Sequence, residues 1–293
     1  MRNDRPPMTD RLVILGAKGG PAVRRADAMP TAMLLELAGM QAVIDCGLGV
    51  TRAAVAAGLD LRRLQAVYVT HLHSDHVLEL GPLLHTAWTT GARGPIDVRG
   101  PAGLADYWAG FLASMAFDNR IRVEDEGRTP IERLVRLHRL EEGPVTGPAG
   151  WEVAALRVPH PPVADCFALR IRAGGRTVAF SADTAPFPPL AEFARGADVL
   201  VHEAMLPEGT ERIIAASGLG EALRRHLAAS HSTAAEAAAI ARAAGVGHLV
   251  LNHLIPADDP AVTEADWRAA VADVWDGPLT IAHNGLEIPL EDP

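Results

Sequence analysis

The sequence predicts an α/β protein in which two mixed β-sheets pack face to face, with helices covering their outer sides. Short apolar runs of strand length alternate with segments of helical character along the 293 residues. These segments fall into two halves of similar plan, separated by residues 118–150, which are charged and contain many Gly and Pro residues. A chain of this length can bury a large core without disulfide bonds.

In the first half, apolar runs predict five strands and periodic patterns predict three helices. The turn between two of the strands is Ala38-Gly39, which is typical of a hairpin. The last helix carries Tyr107, Trp108, Phe111 and Met115; these side chains either form an apolar wall for a substrate, together with Phe117, or belong to the core. The predicted strands are 12–16, 31–37, 42–45, 66–70 and 96–99, and the predicted helices are 50–57, 78–90 and 104–116.

The second half repeats the plan, beginning with three strands joined by short turns. An Ala-rich helix follows, for which Ser232 or Thr233 is the expected N-cap. The predicted strands are 151–158, 166–172, 177–180, 198–201, 248–251 and 279–282, and the predicted helices are 190–195, 234–244 and 264–274. Residues 1–10 are polar and Pro-rich, so we expect a disordered N-terminus followed by one domain over residues 11–293.

Composition and charge indicate a cell compartment and limit the classes of binding partner that we expect. The net charge is −9 and the pI is about 5.7, and the basic pairs Arg62-Arg63 and Arg224-Arg225 have the pattern of solvated helix faces. Because affinity for nucleic acid comes mainly from clustered Lys and Arg, we expect nucleic acid to be an unlikely partner. Cys46 and Cys166 lie in apolar runs, typical of buried inert thiols in a reducing compartment. We find no signal segment or membrane span, which favours a cytoplasmic protein.

The strongest chemical signal is the segment from Thr70 to His76, directly after a predicted strand. It contains His71, His73, Asp75 and His76, four candidate metal ligands within six residues. Imidazole and carboxylate groups suit zinc and related divalent ions. Residues two apart on an extended segment point to the same side, so His71 and His73 can share an ion.

Further candidate ligands follow the ends of later strands. These are His160 after 151–158, Asp183 after 177–180 and His253 after 248–251. Each alone is also explained as an ordinary loop or N-cap residue. Together with the first cluster, they predict a metal site at a common rim of the sheets.

The segment His-Leu-His-Ser-Asp-His resembles the HxHxDH signature of the metallo-β-lactamase superfamily, and the resemblance extends over roughly residues 12–289. It implies a four-layer αββα sandwich and two metal ions, most often zinc, with manganese or iron as alternatives. His71, His73 and His160 would hold the first ion, Asp75, His76 and His253 the second, and Asp183 would bridge them. Asp45 matches the early aspartate that supports the ligand loop. One departure is Ala182, where the family usually has Gly before the bridging aspartate.

Two further segments indicate which branch of the superfamily the sequence resembles. His202-Glu203-Ala204 resembles the HEA segment of ribonuclease Z and its arylsulfatase-like relatives, and His231-Ser232-Thr233 resembles their HST motif. The resemblance implies that His231 acts as general acid or oxyanion stabiliser with Glu203 as its partner, while Asp75 orients the nucleophile. The alternative is that His231 only starts a helix. His85, His138, His226, His248 and His283 carry no spacing signal and are interpreted as structural or surface residues.

The function that this branch implies is hydrolysis of a small-molecule ester, of aryl sulfate or phosphodiester type, by a hydroxide bridging the two ions. The sequence has no insert like the long arm with which tRNA-processing ribonuclease Z grips tRNA, which favours the arylsulfatase-like side. Alternatives are a lactonase or β-lactamase-like hydrolase, a ribonuclease Z-type endonuclease, and a metal-binding or redox protein without hydrolysis. The resemblance also allows a homodimer.

Overall fold

The computed structural model describes residues 9–290, and within them the chain forms two seven-stranded sheets. Residues 1–8, on which most of the expected disordered N-terminus falls, lie outside the described residues. The strands are β1 Arg11–Gly16, β2 Ala32–Leu37, β3 Met40–Ile44, β4 Ala66–Tyr68, β5 Ile96–Gly100, β6 Val135–Arg139, β7 Gly143–Val145, β8 Glu152–Arg157, β9 Phe167–Ala173, β10 Arg176–Phe180, β11 Val199–Met205, β12 His248–Ile255, β13 Leu279–Ile281 and β14 Glu287–Pro289.

Ten α-helices occur in the same described range. They are α1 Val50–Ala56, α2 Ser74–Val77, α3 Leu80–Thr90, α4 Leu104–Ser114, α5 Ala116–Glu124, α6 Pro189–Phe193, α7 Pro207–Ser217, α8 Gly220–Ser230, α9 Ala234–Ala244 and α10 Glu264–Val271. None of the helices between residues 9 and 290 is long and apolar enough to cross a membrane.

The two sheets share one plan. The first has the order β14-β1-β2-β3-β4-β5-β6, and the second has the order β13-β12-β11-β10-β9-β8-β7. In each sheet one half is antiparallel and the other half is parallel, the change falling at β3 in the first sheet and at β10 in the second. The parallel halves leave several strand ends at the same edge, which is where loop residues of both sheets can meet.

A core between the sheets and one core on each outer face hold the layers together. Leu35 of β2 points into the inter-sheet core and its neighbour Leu34 points to the outer face, so β2 is buried on both sides and is apolar at every position except Glu36. Helices α1, α3 and α4 cover the first sheet, and α6, α9 and α10 cover the second. The predicted fold class, a four-layer αββα sandwich, is confirmed.

The element predictions differ from the structure mainly in three places. The expected helix 78–90 is α3, which begins two residues later, and the short helix α2 before it was not predicted. The unassigned residues 118–150 contain α5, β6 and β7, and residues 207–230, for which no element was predicted, form the helix pair α7 and α8. By contrast, α9 has the predicted bounds, because Thr233 and Glu236 form a capping box at its start and Gly245 ends it in a left-handed conformation.

Candidate metal centre

The ligand segment follows β4 and turns directly into the short helix α2. His71 is fully buried, and His73 is the N-cap of α2 with extended backbone dihedrals. Asp75 and His76 lie within the helix and are also buried. The extended residues and the helical ones therefore aim their side chains at two adjacent points, with His71 and His73 at the same one.

The first group of donors consists of three imidazole nitrogens and a carboxylate. His73 Nδ1 lies 3.0 Å from His71 Nε2 and 3.0 Å from His160 Nε2. Asp183 Oδ2 lies 3.7 Å from His71 Nε2 and 3.8 Å from His160 Nε2. Around a tetrahedral zinc ion with Zn–N bonds of 2.0–2.1 Å, ligand nitrogens are about 3.3 Å apart, so the observed spacing is close to that of a zinc site.

The second group lies on the other side of Asp183. Asp75 Oδ2 is 3.7 Å from His76 Nε2 and 3.4 Å from His253 Nε2. Asp183 faces both groups, because its Oδ1 is 3.3 Å from His76 Nε2 and its Oδ2 is 3.1 Å from His253 Nε2. The position of Asp183 is thus the one that a bridging carboxylate would need.

Unusual backbone conformations hold the turns of this site. Asp45, Ala182 and His253 have φ values of 60°, 56° and 44°, in the left-handed region that L-residues rarely adopt. Each follows or interrupts a strand at the edge where the donors meet. Such strain persists where the surrounding structure fixes the residue, and it is common at functional sites.

Hydrogen bonds on the far side of the rings fix which nitrogens are free. His160 Nδ1 donates to the carbonyl of Ser230 at 2.9 Å, and His76 Nδ1 donates to Asp45 Oδ2 at 2.8 Å. Both rings therefore present the Nε2 lone pair to the site when neutral. Asp45 also accepts from the backbone N–H of Thr70 at 2.8 Å, so one carboxylate orients both the ligand loop and a ring.

Charge differs between the two groups. Burial lowers the pKa of His160 to about 4, and burial also holds the pKa of His71 well below its usual value. For His253, burial lowers the pKa, but Asp183 outweighs it and the pKa is raised to about 10. The first group thus offers neutral imidazoles, whereas the carboxylates of the second group demand positive charge, which a divalent cation supplies.

The residues fit a metal ion by the test of their unsatisfied atoms. Among the described residues, the buried atoms His76 Nε2 and Asp183 Oδ1, which face the centre, have no hydrogen-bond partner. Buried polar atoms are normally paired, so these call for a ligand. Within each of the two groups the donor atoms lie within 4.8 Å of one another. The centre is therefore a His/Asp cluster able to bind metal.

His231 and Glu203 form a pair beside this cluster. His231 Nδ1 donates to Glu203 Oε2 at 2.8 Å, and both side chains are buried. Burial lowers the pKa of His231, but the Glu203 carboxylate outweighs it and the net pKa is raised. A backbone N–H, that of Thr184, also donates to Glu203. The ring of His231 is stacked on His253 with centroids 5.5 Å apart, so the pair reaches the edge of the cluster.

A cavity of about 390 Å³ opens from the cluster. His73, Asp75, Asp183, His231 and His253 form its inner end. Its other walls come from the loop after β1 and from α7 and α8. In the loop, Gly20 N–H donates to Asp75 Oδ2 at 2.8 Å, and a Cβ on Gly19 would lie 2.8 Å from the ring of His253.

His226 of α8 also faces this cavity, contrary to its interpretation as a structural or surface residue. Its ring centroid lies 6.0 Å from that of His231 and 6.4 Å from that of His160. No spacing pattern links it to the other histidines, and α8 itself was not predicted. The one feature of the sequence that could have identified His226 as a site residue is its position shortly before the HST segment.

The aromatic helix does not form the cavity wall. Trp108, Tyr107 and Phe111 of α4 pack in the outer core of the first sheet, and Phe117 is 70% exposed. Trp88 belongs to the same core and donates through its Nε1 to the carbonyl of Thr129. The core alternative is therefore the correct one for α4, and aliphatic side chains of α7 and α8 take the place of the expected aromatic wall.

Comparison with known proteins identifies the family. A family profile described as a beta-lactamase superfamily domain matches residues 41–254. The chain belongs to the metallo-β-lactamase superfamily. Among curated members of this superfamily, ribonuclease Z of Mycobacterium bovis (strain BCG / Pasteur 1173P2) is 33% identical over 251 residues, covering 84% of this chain and 87% of the relative. Ribonuclease Z of Mycobacterium sp. (strain KMS) is 35% identical over 263 residues, 89% of each chain.

Solved metallo-β-lactamase structures share the fold. The metallo-β-lactamase fold protein YhfI from Bacillus subtilis has a TM-score of 0.71 at 21% identity and covers 95% of this chain and 98% of its own. The short form of human tRNase Z has a TM-score of 0.68 at 20% identity, with 96% and 100% covered. The resemblance to this superfamily and to its ribonuclease Z-like branch is confirmed, and the chain is a superfamily hydrolase.

One prediction is wrong. The acidic net charge predicted that nucleic acid is an unlikely partner, whereas the similar mycobacterial proteins are named ribonuclease Z, enzymes of RNA. The physical reason is that net charge sums over the whole surface, while binding of a phosphate backbone depends on the field near the cleft. A cluster that holds divalent cations supplies that local positive field whatever the total charge is.

Proposed function

We propose that the chain is a metal-dependent phosphodiesterase that cleaves RNA. The observation that carries the proposal is the pair of donor groups joined at Asp183, with His231 and Glu203 beside them. Two adjacent cation sites that share a carboxylate suit the hydrolysis of phosphodiesters. The similarity to proteins named ribonuclease Z over more than four fifths of the chain supports RNA as the substrate.

Seven side chains would hold two divalent ions, with zinc as the expected metal and manganese or iron as alternatives. His71, His73 and His160 would serve one ion, Asp75, His76 and His253 the other, and Asp183 both. When bound, such ions make hydroxide available near neutral pH and neutralise charge on the phosphate oxygens. Asp75 would help to orient the attacking water, since its Oδ2 is already fixed by the N–H of Gly20.

His231 would protonate the departing oxygen. Glu203 accepts a hydrogen bond from His231 Nδ1. This bond orients the ring, and the carboxylate stabilises the cationic form of the ring. In hydrolysis, the attacking water gives up one proton to solvent and its oxygen forms a bond to phosphorus. The bond from phosphorus to the leaving oxygen breaks, that oxygen takes the proton from His231, and His231 regains a proton from solvent. A positioned general acid of this kind accelerates such a step by about 10²–10⁴-fold.

The test uses an RNA with a structured body and a single-stranded 3′ extension, labelled at its 5′ end. We expect the metal-loaded protein to shorten this RNA at a defined position, and the rate to fall as salt is raised from about 50 to 200 mM. Asp183→Ala is the matched inactive control. Absence of cleavage at every salt concentration, with zinc and with manganese, would overturn the RNA proposal.

A second candidate is hydrolysis of a small aryl sulfate or phosphodiester, and the cavity favours it. A volume of about 390 Å³ lies within the range of about 300–1,000 Å³ of small-molecule sites. The same preparation is therefore assayed with p-nitrophenyl sulfate and bis(p-nitrophenyl) phosphate. Turnover of these esters without RNA cleavage would select this candidate, and no turnover of any substrate would reject both.

A further inference from the structure

One wall of the cavity beside the metal cluster is apolar, whereas Lys18, Arg24 and Asp258 line the cavity outside this wall. Six side chains from α7, α8, the junction between them and the end of β12 form this wall: Ile213, Leu219, Leu223, Leu227, Ile255 and Pro256. The polar groups among these helix residues are few, namely Ser217 and His226. A mostly apolar wall with a few polar groups is the usual design of a site for an organic ring.

The helix pair α7 and α8, which carries most of this wall, packs against the ends of β11 and β12. Ile214 and Leu227 are buried against Met205 and Ile255 in a small separate core. Leu219, at the junction of α7 and α8, is nevertheless 63% exposed. Leu219 lies next to other aliphatic side chains of the same wall, among them Leu223, and a contiguous apolar surface of this kind is typical of a binding site.

The apolar wall shares its cavity with the candidate general acid. His231, the group that would protonate the leaving oxygen, lines the same cavity, and the ring of His226 on α8 is 6.0 Å from its ring. A group attached to the leaving oxygen would therefore lie beside His226 and α8. The cavity volume is near the lower end of the range for small-molecule sites, which suits one nucleoside better than a longer segment.

We propose that the apolar side of the cavity, here called the α7–α8 pocket, binds an aromatic ring of the leaving group. In an RNA substrate this ring is the single nucleobase on the ribose whose oxygen departs. The proposal rests on the phosphodiesterase function and names the element that selects its substrate. The apolar side chains take the faces of the ring out of water, and His226 provides an aromatic edge at the inner end. Specificity by stacking and burial is tolerant of base identity, so one pocket serves different RNA sequences.

The experiment compares two competitive ligands of the metal-loaded protein. Methyl phosphate engages the metal cluster alone, whereas a nucleoside 3′-monophosphate can place its base in the pocket as well. We expect the nucleotide to bind about tenfold more tightly than methyl phosphate, and Leu219→Ser to remove most of this advantage without changing the affinity for methyl phosphate. Leu219→Met should restore it, since it keeps the apolar contact.

Val55→Ser is the matched control, because Val55 is 52% exposed on α1 and does not line this cavity. Equal affinities for the two ligands in the parent protein, or equal losses in Leu219→Ser and Val55→Ser, would overturn the pocket proposal. The affinities are measured by calorimetry, so they do not depend on turnover. Leu219-dependent nucleotide binding without any phosphodiester hydrolysis would keep the pocket and reject the phosphodiesterase function, and hydrolysis without this dependence would do the reverse.

Discussion

Ala182 offers a direct test of the strain at the metal centre. It precedes Asp183 with φ of 56°, in the left-handed region. Replacement by glycine would remove this strain without touching any of the seven candidate ligands. Ala239 provides the matched control, since it is exposed in the middle of α9 and has ordinary helical backbone. The same substitution should therefore have opposite signs at the two positions.

The magnitude follows from three contributions at Ala182. The left-handed conformation costs an L-residue about 1–2 kcal/mol, which glycine avoids. Glycine in turn costs about 0.5–1 kcal/mol through the entropy of the unfolded chain. The methyl group packs partly against the outer core of the second sheet, and its loss costs about half of the 0.8 kcal/mol for a buried CH₂ group. The balance at mid-range is a stabilisation of about 0.4 kcal/mol.

At Ala239, glycine lowers stability by about 1 kcal/mol, because it is a poor helix former. The two variants should thus differ by about 1.4 kcal/mol, a tenfold difference in the unfolding equilibrium. Urea unfolding with a chelator present measures both midpoints without the contribution of bound metal. If Ala182→Gly loses as much stability as Ala239→Gly, the backbone strain at Ala182 is not relieved by glycine and the reasoning fails.

Three further predictions concern the centre itself. Metal analysis of the purified protein should give close to two ions per chain. Asp183→Ala should lose metal and phosphodiester turnover together. If this variant kept both ions, the bridging role of Asp183 would be rejected. His231→Ala should retain its metal but lose about 10²–10⁴-fold in rate, most on substrates with poor leaving groups; an equal loss on good and poor leaving groups would reject its acid role. Gly19→Ala should weaken metal affinity about tenfold or more in a chelator competition, because its Cβ would lie 2.8 Å from the ring of His253, whereas Gly110→Ala, whose Cβ meets nothing within 4 Å, should not.

The sequence predicted those elements whose signals are local. Helix α9 has a capping box at one end and a glycine at the other, so its bounds need no tertiary information. The longer strands β1, β2 and β10 were predicted in the same way, because each contains a local run of apolar residues. Strand β14 could not be predicted in this way, because its three residues acquire their structure by pairing with β1 at the opposite end of the chain.

The site shows the same division. His71, His73, Asp75 and His76 are close in sequence, and the structure brings them together with three later residues. Of these, His160 and Asp183 follow strands as predicted, whereas His253 lies within β12. Their role as ligands stays a prediction. The pocket could not be found from the sequence, since α7 and α8 bury only a few side chains in a small core of their own. Leu219 and His226 are close to the centre only because this helix pair folds back over it.

Placement of the donors on both sheets has a thermodynamic consequence. The segment after β4 belongs to the first sheet, whereas His160, Asp183 and His253 follow β8, lie after β10 and lie in β12 of the second. Neither donor group is complete on one sheet alone, so cations bound there would link the two sheets. By linkage, a ligand at a thousand times its dissociation constant adds about 4 kcal/mol to the folded state. The free concentration of the cation would then determine how much this link adds to the stability of the two-sheet fold.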